Sequence, residues 1–173
     1  MTDSTSGALP SLRARSFTLS PANSTIGFST KNLIGVTAAG EFRDFRADIH
    51  IGATPADSAV GATVVMSSVN TKSKMRDRDL QKKKIFNSET WPEMRFASTG
   101  ITAAGDAVTI TGALTVRDQT RRITLAGRHT GTTPGGGHRF EADGVINPRD
   151  FGITHPAIKK PVTIQITAEL VPA

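Results

Sequence analysis

The chain has no cysteine, no tyrosine and a single tryptophan. Without cysteine there is no disulfide scaffold, no thiolate metal site and no thiol nucleophile. No apolar run approaches the roughly 18 residues of a membrane-spanning helix. The opening MTDSTSGALPSLRAR lacks the apolar stretch of a secretion signal, so the expectation is a cytoplasmic protein, or a periplasmic or secreted one if the sequence is a mature form. Catalytic signatures are missing too. There is no HExxH or HxH spacing, no GxSxG elbow, and no glycine-rich phosphate loop followed by lysine. No metal and no cofactor is therefore expected.

What is present fits one domain. The 173 residues (18.3 kDa) are 37% hydrophobic, enough for a core. The 16 glycines and 23 threonines favour strands and turns over helices. The net charge of +6 is local. Lys72–Lys84 (KSKMRDRDLQKKK) holds seven basic residues against Asp77 and Asp79, while the rest is nearly balanced. Such a patch suits a phosphate, a membrane surface or nucleic acid, but a solvated helical face is the simpler reading. No aromatic residue interleaves it, so no nucleic-acid partner is expected.

Residues 1–15 read as a flexible tail and 16–173 as the folded domain. Ile26, Phe28 and Thr30 share one strand face; Phe45, Ala47, Ile49 and Ile51 share another, and Phe42 breaks that parity, predicting a bend at Arg43-Asp44. Val60 to Met66 alternate again. From Arg76 to Phe86 helix formers dominate, with Arg76, Asp79, Leu80 and Lys83 at three- and four-residue spacing, and Trp91-Pro92 returns the chain to strand. Further alternating runs contain Met94, Phe96 and Ser98; Val108 to Val116, after a Gly105-Asp106 hairpin signal; Ile123 to His129; Phe140 to Ile146; and Val162 to Leu170. No internal repeat is seen. Many one-face-apolar antiparallel strands imply a sandwich or closed barrel, and eight strands can enclose one small ligand. Gly112, Gly127, Ala142 and Gly144 fall on the apolar parity, which favours a cavity or strong curvature over close packing against the helix.

The histidines give no ligand set. His50, between Ile49 and Ile51, is expected to face outward; His138 follows a glycine run in a loop; His129 lies on an apolar parity and reads as an interior histidine; His155 has no partner by spacing. The pair Asp77/Asp79 is spaced for caps and ion pairs, not for a carboxylate dyad.

Seven phrases, in order over residues 16–171, resemble the YceI-like family of bacterial polyisoprenoid-binding barrels: Ser24-Thr25-Ile26-Gly27-Phe28, Gly40 to Phe45, Ser68 to Thr71, Arg76 to Leu80 with Phe86, Trp91 to Thr99, Gly112 to Val116, and Arg149 to Ile153. The resemblance implies an all-β, extended eight-stranded antiparallel lipocalin-like barrel with one short helix near 76–86, and an apolar channel holding an isoprenoid-like or amphiphilic chain. Departures occur at Ser20, Thr30, Asn32, Asp118-Gln119 and Arg122. Thr30 and Asn32 by parity follow Ile26 and Phe28 inward, where unpaired polar groups cost about 1–3 kcal/mol, so a ligand with oxygen functions is expected.

The residues expected to bind it are Ile26, Phe28, Thr30, Asn32, Val64, Met66, Leu80, Phe86, Phe96, Ile110, Leu114, Ile146 and Phe151. Binding, storage or transport of a hydrophobic small molecule is the leading function. An enzyme that isomerises or cyclises a hydrophobic substrate in the same cavity is the alternative, acting by orientation without a motif. A basic surface protein ranks third. A homodimer is left open.

Overall fold

Apolar alternation produces eight long antiparallel runs, and the first three are each broken once. The computed structural model describes residues 15–31, 37–156, 158 and 160–173; the expected tail up to residue 14 and Asn32 lie outside them. The first run is β1 (Arg15–Leu19) and β2 (Thr25–Lys31), the second β3 (Thr37–Phe42) and β4 (Phe45–Ile51), the third β5 (Ala59–Val65) and β6 (Val69–Asn70). Unbroken runs follow: β7 (Glu93–Ala104), β8 (Ala107–Val116), β9 (Gln119–Thr132), β10 (His138–Ile146) and β11 (Val162–Pro172). Arg15, placed in the tail by composition, opens β1 by pairing with Ile51.

The ring β1-β4-β5-β7-β8-β9-β10-β11 closes on itself because β1 pairs with both β4 and β11. A closed sheet leaves no unpaired edge. Beyond the breaks, β2, β3 and β6 continue as a flap carried by the first half of β11.

Each break has a side-chain stitch. Pro21–Asn23 form a single 3-10 turn that shifts the register on β11, so Leu19 faces Leu170 while Thr25 faces Thr167. The buried Ser24 hydroxyl accepts from the Glu169 N–H (2.9 Å), and the Ser20 N–H donates to the Glu169 carbonyl (2.9 Å). The bend expected at Arg43-Asp44 lies beside the third break, Met66–Ser68. Ser68 joins them: its hydroxyl accepts from the Asp44 N–H (3.0 Å) and donates to the Val65 carbonyl (2.6 Å).

Among the described residues the one α-helix is α1, Lys74–Leu80. It begins two residues earlier than the spacing predicts, because the Ser73 side chain caps it by accepting from the Arg76 N–H. It also ends six residues sooner. The chain turns at Gln81, the Phe86 N–H folds back onto the Leu80 carbonyl (2.9 Å), and Asn87 takes a left-handed conformation (φ 47°). Asp77 anchors the helix by accepting from the Thr71 N–H (2.8 Å) and hydroxyl (2.6 Å), and Asp79 pairs with Lys82. Lys82, Lys83 and Lys84 are exposed.

Apolar side chains divide the interior. At the helix end, Phe42, Phe45, Met66, Val69, Ile85, Phe151 and Ile153 pack into a solid plug, with Leu80 and Phe86 half-buried against it. Toward the other end a smaller cluster forms around Phe17, Ala47, Ile49, Ala168 and Leu170. Between them lies a void.

Candidate functional site: an internal apolar cavity

The void is a cavity of about 480 Å³, within the size range of small-molecule sites. All eight strands of the ring contribute to its wall, through alternate residues such as Ile49, Val60, Phe96, Ile110, Leu125, Phe140, Ile166 and Leu19. Inward parity is therefore the local cause of an apolar lining. Two small residues singled out by sequence, Gly127 and Ala142, lie on the wall. The other two make room for wall residues: Gly112 lies against the Phe96 ring, and Gly144 against Leu125. None of the four is explained by packing on α1.

The residues expected to bind a ligand separate into two groups. Ile26, Val64, Phe96, Ile110 and Leu114 line the cavity. Phe28, Met66, Leu80, Phe86, Ile146 and Phe151 belong to, or pack against, the plug at the helix end. There the Phe42 ring stands between Phe28 (5.5 Å) and Phe86 (6.1 Å). Thr30 is not on the cavity wall, and its hydroxyl donates to the Pro161 carbonyl (3.0 Å). Asn32 lies outside the described residues.

Strand bulges hide part of the wall from a parity reading. Ser98 faces Gly112 but Gly100 faces Thr111, so Thr99 is an extra residue on β7. Beyond it the parity inverts, and Ile101 and Ala103 join Met94 and Phe96 on the wall. On β9, Thr130 is extra between His129, which faces Phe140, and Gly131, which faces Arg139.

Polar residues gather where the cavity opens, at the Gly52–Ser58 turn and the Gly105-Asp106 hairpin. His50 is exposed there, facing outward as expected. Thr54 and Ser58 spend their hydroxyls inside the turn, on Asp57 and on the Thr54 carbonyl. His129 faces inward, its Nε2 3.1 Å from Nδ1 of His138. His138 is not a loop residue: it opens β10, is fully buried, and stands edge-on to Phe17 (5.3 Å). The loop ends at Gly137, one residue earlier than a loop reading of His138 assumes. Among the described residues no group of three or more His, Asp or Glu is placed to hold a metal ion, and no helix is long and apolar enough to cross a membrane.

Closed antiparallel topology around one apolar cavity defines a lipocalin-like barrel. The YceI-like domain model matches residues 17–170, and the chain belongs to that family. It is 34% identical over 131 residues to a UPF0312 protein of Photorhabdus laumondii, covering 73% of this chain and 68% of that protein. It is 33% identical over 134 residues to protein YceI of Salmonella newport, covering 75% and 70%. Among solved structures it is similar to Burkholderia cenocepacia BcnA (TM-score 0.76, 23% identity, 90% of this chain and 99% of that one). It is also similar to a polyisoprenoid binding domain from Saccharophagus degradans (TM-score 0.69, 12% identity, 92% and 99%). At these identities the two structures speak for the fold alone.

Proposed function

We propose that the barrel binds, and so stores or carries, an isoprenoid-like or otherwise amphiphilic small molecule in its internal cavity. The observation that carries this is the cavity itself, roofed by aliphatic and aromatic side chains from every strand of the ring. Removing an apolar chain from water is favourable by roughly 25 cal/mol per Å². The polyisoprenoid-binding domain with the same fold gives the reading its ligand class.

The test is binding of N-phenyl-1-naphthylamine, a neutral apolar dye that brightens out of water. Saturable binding is expected, and it is expected to fall at least about fivefold in Ala142→Phe, whose ring would occupy the cavity in place of the dye. The melting temperature of the variant should stay close to that of the parent, since it fills space. Absent or non-saturable binding, or equal affinity in a folded Ala142→Phe, overturns the proposal. Native mass spectrometry of the purified protein would add the mass of any lipid that remains bound.

A further inference from the structure

We propose that His129 holds the oxygen-bearing head of the ligand at the open end of the cavity, with the apolar chain pointing toward the helix-end plug. This deepens the binding function proposed above and rests on it.

Four observations converge on His129. It is a wall residue, on the same inward parity as Ile123, Leu125 and Gly127. Its side chain is only 15% exposed, whereas that of Asp106 beside it is 77% exposed. Its ring orientation is set from behind by the Nε2 contact to His138 and by Phe140, whose ring centroid lies 5.0 Å away. Its other nitrogen, Nδ1, lies 3.9 Å from the Asp106 carboxylate, beyond hydrogen-bonding distance. Of the other polar residues on this lining (His50, Thr54, Ser58, Asp106 and Glu141), Thr54 and Ser58 have their hydroxyls engaged within their own turn.

Between two neutral rings, one nitrogen of the His129–His138 contact donates and the other accepts. In one arrangement the proton sits on Nδ1 of His129. Then Nδ1–H donates to an incoming oxygen, and Nε2 accepts from His138. A hydroxyl or carbonyl oxygen suits that donor; in the reverse arrangement Nδ1 accepts from a hydroxyl, so a hydroxyl head fits both. His138, fully buried between His129 and Phe17, is a positioning residue.

Competition against N-phenyl-1-naphthylamine with farnesol and with β-farnesene, which share a carbon skeleton but differ in the hydroxyl, reads the head and the chain separately. His129→Leu should weaken farnesol about five- to tenfold and leave β-farnesene within about twofold, while His129→Gln recovers most of the loss. If the wild-type protein binds both and His129→Leu changes them equally, or changes neither, this inference falls and the cavity-binding function stands. If the wild-type protein binds the dye but neither competitor, this inference falls; if it does not bind the dye saturably, both fall. Should His129→Leu fail to fold, histidine-selective nitrogen NMR of the wild-type protein decides. A shift at Nδ1 of His129 with farnesol but not β-farnesene supports the assignment. No shift with farnesol bound overturns it.

Discussion

Gly112 on β8 lies under the ring of Phe96 on β7, so close that a Cβ there would collide with the ring and sit 2.6 Å from the Ala97 carbonyl oxygen. The absence of a side chain at one position thus sets the pose of a cavity-wall aromatic at another. Gly112→Val should destabilise by about 1–3 kcal/mol through overpacking, because the obstacle includes backbone as well as a ring. Denaturant melts check the size. A neutral substitution would show that Phe96 has space to swing aside.

Ser24 closes a gap in the β11 ladder with its hydroxyl rather than its backbone. Ser24→Ala strands the Glu169 N–H in a part-buried position and should cost about 1–3 kcal/mol, measurable by urea unfolding. A loss below a few tenths would mean that the break in the first run closes without it.

Arg117 occupies the first position of the two-residue β8–β9 turn with φ 59°, where glycine is the easy choice. Its guanidinium instead donates from Nη1 to the Lys83 and Ile85 carbonyls (2.8 Å each) and lies over Trp91. This ties down the lysine-rich segment after α1. In Arg117→Gly, relief of the turn should not compensate, and trypsin should cut at Lys82–Lys84 several-fold faster than in the parent. Unchanged cleavage kinetics would argue that the segment is held by Ile85 and Phe86 alone.

Thr30 is expected to matter little to binding. Thr30→Val removes the hydrogen bond to Pro161 and should cost within about 1 kcal/mol. Affinity for N-phenyl-1-naphthylamine, and the preference between farnesol and β-farnesene, should remain within about twofold. A larger change in that preference would return Thr30 to the ligand site.

Much of this architecture was legible in the sequence because its causes are local. Alternation at Phe45 to Ile51 or Ile123 to His129 follows from the two-residue period of a strand with one buried face. Gly105-Asp106 marks its hairpin through the left-handed backbone that glycine adopts there (φ 62°). An enclosed apolar interior could also be anticipated, since many one-sided strands must bury that side in a sandwich or a barrel. The division of the interior could not. Phe28, Met66 and Ile146 share the apolar character of Phe96, Ile110 and Leu114, yet the first three stay off the cavity wall while the others line it, Phe96 and Leu114 packing with the plug as well. That outcome depends on how the broken runs, α1 and the segment around Phe151 meet at one end, which is a matter of long-range packing. Likewise the extra residue Thr99, which turns Ile101 inward, and the burial of His138 behind His129 exist only once neighbouring strands fix the register. Periodicity therefore determined one-faced apolar strands that enclose a core as a sandwich or a barrel; that the sheet closes, which lining residues face a cavity, and which polar group guards its opening, was decided by strand register and closure.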